Sequence, residues 1–165
     1  MLDWHKHPLV ALLETKIKNH RSLLEDFPFN RMIEVPTVGN SGGIVVLWDD
    51  AILELDEITT TTHEVHAIIK VHNLNITWLF IVIYASTHRY MRKILWNNLC
   101  SIKNNYNGKW LIGVILMNFF TVWKKKGGIP LNASRVLNFH ENINHCELID
   151  IGFKGSRYTW LNKRF

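Results

Sequence analysis

The sequence predicts a layered α/β or α+β fold, and three observations carry that prediction. The chain has 165 residues, 47% of them apolar and 20% charged, the composition of a folding chain of single-domain size. Apolar runs of strand length outnumber helical patterns, and the helical patterns lie between them. Residues 74–85 are almost wholly apolar and β-branched or aromatic, as a strand covered on both faces would be.

Taken in order, residues 9–13 read as a buried strand. A short helix over 15–25 is predicted next, with Ile17, Leu23 and Leu24 facing inward and Phe27-Pro28 ending it. Residues 31–38 and 43–48 form a strand pair around Gly39-Asn40-Ser41-Gly42, a strong turn signal. Residues 52–58 and 65–71 are strands on either side of the threonine tract 59–62. After the apolar strand 74–85, Ser86 or Thr87 can cap a helix whose inward face is Met91, Ile94/Leu95, Leu99 and Ile102, spaced at 3.6 residues. Asn107-Gly108 turns the chain into a strand over 110–117. A second helix starts near Ala133, with Val136, Phe139 and Ile143 on one face, and 148–151 and 158–161 are short terminal strands.

Charge is divided unevenly. Residues 1–83 carry 6 Lys/Arg against 11 Asp/Glu, whereas residues 84–165 carry 13 against 3. Between Val65 and His140 there is no acidic residue. Such a basic half favours a polyanionic partner. Two cysteines without CxxC spacing exclude a disulfide-dense scaffold and a cysteine-rich zinc site, and fit a reducing, intracellular setting. The N-terminus does not read as a signal peptide, and the most apolar stretch, 110–123, is shorter than a membrane span of about 20 residues. No membrane partner and no small-molecule cofactor are expected.

Several residues invite a chemical reading. Glu14 follows an apolar run, at the strand end where open α/β sheets place metal ligands; on spacing alone it reads better as an ordinary first-turn helix residue. Nine histidines, among them His63-x-x-His66, His140 and His145, lack zinc-ligand spacing and are expected on the surface. Gly42-Gly43 lacks the Lys-Ser/Thr of a phosphate loop and reads as a turn. Tyr84 closes an apolar strand and is the kind of residue that keeps one wet edge. Lys124, Lys125 and Lys126 form a basic triplet able to touch phosphates, or a solvated loop.

The order of the motifs is more specific than any one of them. Leu13-Glu14-Thr15-Lys16 is followed by Ser41-Gly42-Gly43-Ile44-x-x-Leu47-Trp48, then Ile83-Tyr84-Ala85-Ser86 and Arg92-x-x-Leu95-Trp96. Trp110-Leu111-Ile112-Gly113 and Lys126-Gly127-Gly128 come next, and Cys146-x-Leu148-Ile149-Asp150-x-Gly152 and Tyr158-Thr159-Trp160-x-Asn162 close the series. From Pro8 to Asn162 the chain resembles the endonuclease domain of plant non-LTR (LINE-type) retrotransposons, within the endonuclease/exonuclease/phosphatase superfamily.

The resemblance implies a four-layer α/β sandwich, two packed sheets flanked by helices, and Mg²⁺-assisted hydrolysis of DNA phosphodiester bonds. It assigns metal binding to Glu14, positioning of the attacked phosphate to Tyr84, and phosphate contact to Arg92, with Lys124, Lys125 and Lys126 as further nucleic-acid contacts. It also implies a parent polyprotein carrying a reverse transcriptase, and action in the nucleus. After Trp-Leu-Ile-Gly the family carries Gly-Asp-Phe-Asn; with equal spacing the Asp and Asn positions here hold Ile115 and Met117, and slipping the register by one puts Leu116 and Asn118 there, so neither register supplies an Asp. An aliphatic side chain neither accepts a proton nor holds a hydroxide, and such groups are worth ~10²–10⁴ in rate. The family's N-terminal asparagine strand and C-terminal histidine segment would fall outside residues 1–165. The expectation is one truncated domain over 1–165, incomplete at both ends and degenerate, with little or no cleavage activity. Its alternatives are a nucleic-acid-binding module that does not cut and a pseudogene remnant without function.

Overall fold

Ile44-Val45-Val46-Leu47-Trp48 is buried at every position, and in the computed structural model of the chain it forms the middle strand of a sheet. The structure describes residues 7–39, 42–86, 88–116 and 133–152. Its elements run β1 (Leu9–Leu13), α1 (Leu23–Asp26), β2 (Arg31–Val35), β3 (Ile44–Trp48), β4 (Leu53–Thr60), β5 (Glu64–Val71), β6 (Ile76–Ala85), α2 (Arg89–Asn105), β7 (Trp110–Leu116) and α3 (Ala133–His145). The chain is α/β, with a three-stranded sheet ordered β1-β3-β2, a four-stranded sheet ordered β4-β5-β6-β7, and helices. Two compact units divide it: Met1–Ser86 with Asn107–Ile115, and Thr87–Tyr106 with Leu116–Phe165.

In the first unit β3 pairs antiparallel with both neighbours, Leu13 and Val35 each facing Ile44. A strand flanked on both edges and covered on both faces must be apolar throughout, which explains the unbroken run. On one face Val45 and Leu47 join Phe29 in a core cluster, closed by Val10, Leu12, Leu23, Leu24, Phe27 and Met32. In the second sheet β5 alternates, with Val65, Ala67 and Ile69 buried and His66, Ile68 and Lys70 half-buried. β4 is an edge strand that keeps charge outward. Its Glu54 and Asp56 flank Lys70 of β5 at 3.5 and 2.7 Å, and a bulge between Glu57 and Thr59 leaves Ile58 exposed. β6 is buried from Leu79 to Ala85, as its composition requires. Leu79 N–H donates to Lys109 O at the entry to β7, and the two sheets meet where β1 comes against β6.

The second unit contains α2 and α3. Arg92, Leu95 and Leu99 are the buried residues of α2. Met91 and Ile94, expected to face inward, are exposed, because the buried stripe is centred one residue further on, along 92, 95 and 99. Trp96 of α2 meets Phe139 of α3 edge to face, ring centroids 5.7 Å apart.

Three other expectations are corrected. The helix expected over 15–25 is only the four residues of α1. Upstream of it Glu14 and Lys16 take positive φ, and Ile17 O accepts from Thr37 N–H, so tertiary bonds replace the helical ladder and leave Ile17 exposed. The strand expected over 31–38 stops at Val35. Residues 148–151 form no strand: Leu148 N–H bonds back to Ile143 O, Gly152 N–H bonds to the Asp150 carboxylate, and Ile149 and Ile151 lie exposed. The strand expected over 158–161 lies outside the described residues.

Candidate functional site

The site begins where β1 ends. Beyond Leu13 the chain turns at Glu14 and Lys16, whose φ of 57° is uncommon for residues with a side chain. The turn is held against the start of β3, with Thr15 N–H donating to Gly43 O at 3.2 Å and Lys16 N–H to Gly42 O at 3.1 Å. Gly43 has to be glycine on two counts. Its φ is +88°, and a Cβ placed there would run into the Thr15 hydroxyl. The Lys16 ammonium stands 3.5 Å from the Glu14 carboxylate.

Behind this turn lies a side-chain chain that the sequence did not reveal. Thr15 Oγ1 is 2.7 Å from His20 Nε2, and His20 Nδ1 is 2.8 Å from Glu34 Oε2 on β2. His20 backbone N–H also donates to Glu34 Oε2, at 3.0 Å. An ionised carboxylate only accepts, so Nδ1 carries the proton, and Nε2 faces the Thr15 hydroxyl. Burial acts to raise the Glu34 carboxyl. The His20 backbone and side-chain bonds, with the charges of His20 and Arg21, outweigh it and hold the group below its ordinary value. His20 is completely buried, contrary to the expectation of surface histidines. The order hydroxyl, imidazole, carboxylate is that of a nucleophile triad. Here the hydroxyl is packed against Gly43, so the arrangement works as a clamp: it fixes Thr15 and therefore the direction of its neighbour Glu14.

Tyr84 stands near the carboxyl end of β6, the strand that comes against β1. It is buried, and burial first, then the negative charge of Glu14, push its hydroxyl above the ordinary phenol range. The charge of Glu14, 70 positions away in sequence, is thus felt at the Tyr84 hydroxyl. His63 stacks on the Tyr84 ring with centroids 6.2 Å apart, and its backbone carbonyl accepts from Tyr84 N–H at 2.8 Å. Among the described residues, buried His63 Nδ1 has no hydrogen-bond partner. A cleft lined by Arg31, Trp48, Asp50, Leu53, Glu54 and His72 lies at the other end of β3 and includes none of these groups.

No family model matches the chain, and no curated protein matches it. A solved structure is similar. The human Nocturnin catalytic domain with bound sulfate anion superposes with a TM-score of 0.48 at 9% identity. The match covers 67% of this chain and 51% of that one, so the chain spans about half the length of that domain.

Arg92 belongs to the second unit, buried on α2 beside Leu95 and Leu99, and its backbone N–H donates to His88 O. Ile115 lies in β7, the strand next to β6. Met117, Lys124, Lys125 and Lys126 lie outside the described residues. Among the described residues no group of three or more His, Cys, Asp or Glu side chains could hold a metal ion. The one predicted ligand, Glu14, has an ammonium beside it, and Mg²⁺ sites lean on one or two carboxylates plus phosphates and water. Glu14 is the one predicted carboxylate ligand among the described residues, and it is already paired with Lys16.

Proposed function

We propose that this chain is a degenerate endonuclease-type domain of LINE retrotransposon descent, one that engages the DNA backbone but cuts it little or not at all. The reading is supported by the placement of Glu14 and Tyr84 at the carboxyl ends of β1 and β6, two strands that come against each other, with the Glu14 charge felt at the Tyr84 hydroxyl. The resemblance pairs those two residues at a scissile phosphate. The clamp through His20 supports it, since it holds the Glu14 turn in one conformation. The replacement of the water-positioning Asp and Asn by Ile115 and Met117 supports the loss of cleavage.

DNA is the proposed partner because the half of the chain after residue 83 is strongly basic. Lys124, Lys125 and Lys126 supply the densest positive charge in it, and contacts to phosphate are governed by counterion release. The test is fluorescence anisotropy of labelled duplex DNA at several salt concentrations. Binding should weaken steeply with salt and show little sequence preference. Replacing the three lysines by alanine should flatten the slope. Binding absent at low salt, or a slope indifferent to the lysines, would contradict the reading.

A further inference from the structure

The seam between α2 and α3 brings together two thiols that the proposed function does not use. Cys100 Sγ on α2 lies 3.3 Å from Cys146 Sγ, although the residues are 46 positions apart. Cys146 is the first residue past α3, and its backbone N–H still bonds to Asn142 O. Neighbouring contacts fix the two elements on either side of the sulfurs. Trp96 packs on Phe139 one turn before Cys100, and Lys103, three residues after it, pairs with Glu147 at 2.8 Å. The thiols are therefore held in register by an aromatic contact and an ion pair. A disulfide bond of about 2.05 Å asks for an approach of only ~1.3 Å, within reach of side-chain rotation.

We propose that Cys100 and Cys146 are a reversible oxidation site, closed to an intramolecular disulfide by a small-molecule disulfide such as glutathione disulfide. The two thiols have different parts. Cys146 is completely buried, and burial, then the bond to and charge of Cys100, push its thiol up to about 12, with Lys103 acting the other way. Cys100 is only half-buried, so it is the thiol that an external disulfide meets first. The Cys100 thiolate attacks one sulfur of glutathione disulfide, forming a mixed disulfide and releasing one glutathione thiolate. With Cys100 capped, its charge no longer opposes ionisation of Cys146. Cys146 then gives up its proton and attacks the Cys100 sulfur, expelling the second glutathione. Two S–H bonds are lost, one S–S bond forms, and the two electrons leave in two glutathione thiols. The product ties α2 to the chain after α3.

The test equilibrates the full chain in glutathione redox buffers, natively and in urea, then traps free thiols by alkylation and weighs the products. The native chain should lose two hydrogens without retaining glutathione, and its Cys100–Cys146 pair should oxidise at an effective concentration at least about tenfold above the urea value. C146S should collect glutathione on Cys100, and C100S should react on Cys146 at least about tenfold more slowly. Equal effective concentrations in buffer and in urea would overturn the proposal. So would stable glutathione adducts on the native chain, disulfide-linked dimers as the main product, or C100S reacting as fast as C146S.

Discussion

At the scale of the residue, the turn after β1 holds the candidate site together. Gly43→Ala forces a side chain into φ +88° and against the Thr15 hydroxyl, and should cost ~2–4 kcal/mol of folding stability by denaturant titration. His20→Ala removes a fully buried ring and both links of the clamp, at a cost of ~2–4 kcal/mol. The Glu34 carboxyl gives a pH dependence whose sign is fixed. Its folded value lies below the ordinary 4.5, so its stabilisation is present above that pH and is lost as the pH falls through the lower folded value. The difference in Tm between the natural chain and Glu34→Gln should therefore shrink as the pH drops from 6 toward 3. A difference that grows on acidification would contradict the bond. Glu14 and Tyr84 were marked as candidates by motif order alone. His20 was not, because its partners at positions 15 and 34 meet only through an irregular turn that no periodicity encodes.

At the scale of the element, the strands were readable and the short segments between them were not. An apolar run such as 44–48 or 79–85 has one comfortable place, between two covered faces, so composition alone determines its state. Residues 15–22 carry a helix-like pattern, but Lys16, Ile17 and His20 find tertiary hydrogen bonds that outweigh the weak helical preference of so short a segment. Residues 148–151 look strand-like, yet Leu148 closes the end of α3 and Ile149 and Ile151 remain in solvent. The same contrast gives a prediction. Leu47→Ala, in the fully buried centre of β3, should destabilise by ~2–5 kcal/mol, whereas Ile58→Ala, on the bulged edge of β4, should cost under about 1 kcal/mol. Denaturant midpoints of the two variants check it. Comparable losses would mean that β3 is not the centre of its sheet.

At the scale of the whole molecule, the proposed endonuclease-type domain would lack its water-positioning pair, with Ile115 and Met117 at those positions. Mg²⁺ should show no saturable site at low millimolar concentration by calorimetry or tryptophan fluorescence, since Glu14 is the one predicted carboxylate ligand and Lys16 stands beside it. A tight site abolished by Glu14→Ala would contradict that. Groups that act as a unit in catalysis are strongly non-additive, so restoring part of the set recovers little. The most direct measurement is plasmid nicking with Mg²⁺ or Mn²⁺ by the natural chain, the double variant Ile115→Asp/Met117→Asn, and Glu14→Ala. None of the three should nick above the metal-only background. Metal-dependent nicking by the natural chain that disappears in Glu14→Ala would contradict the central claim outright.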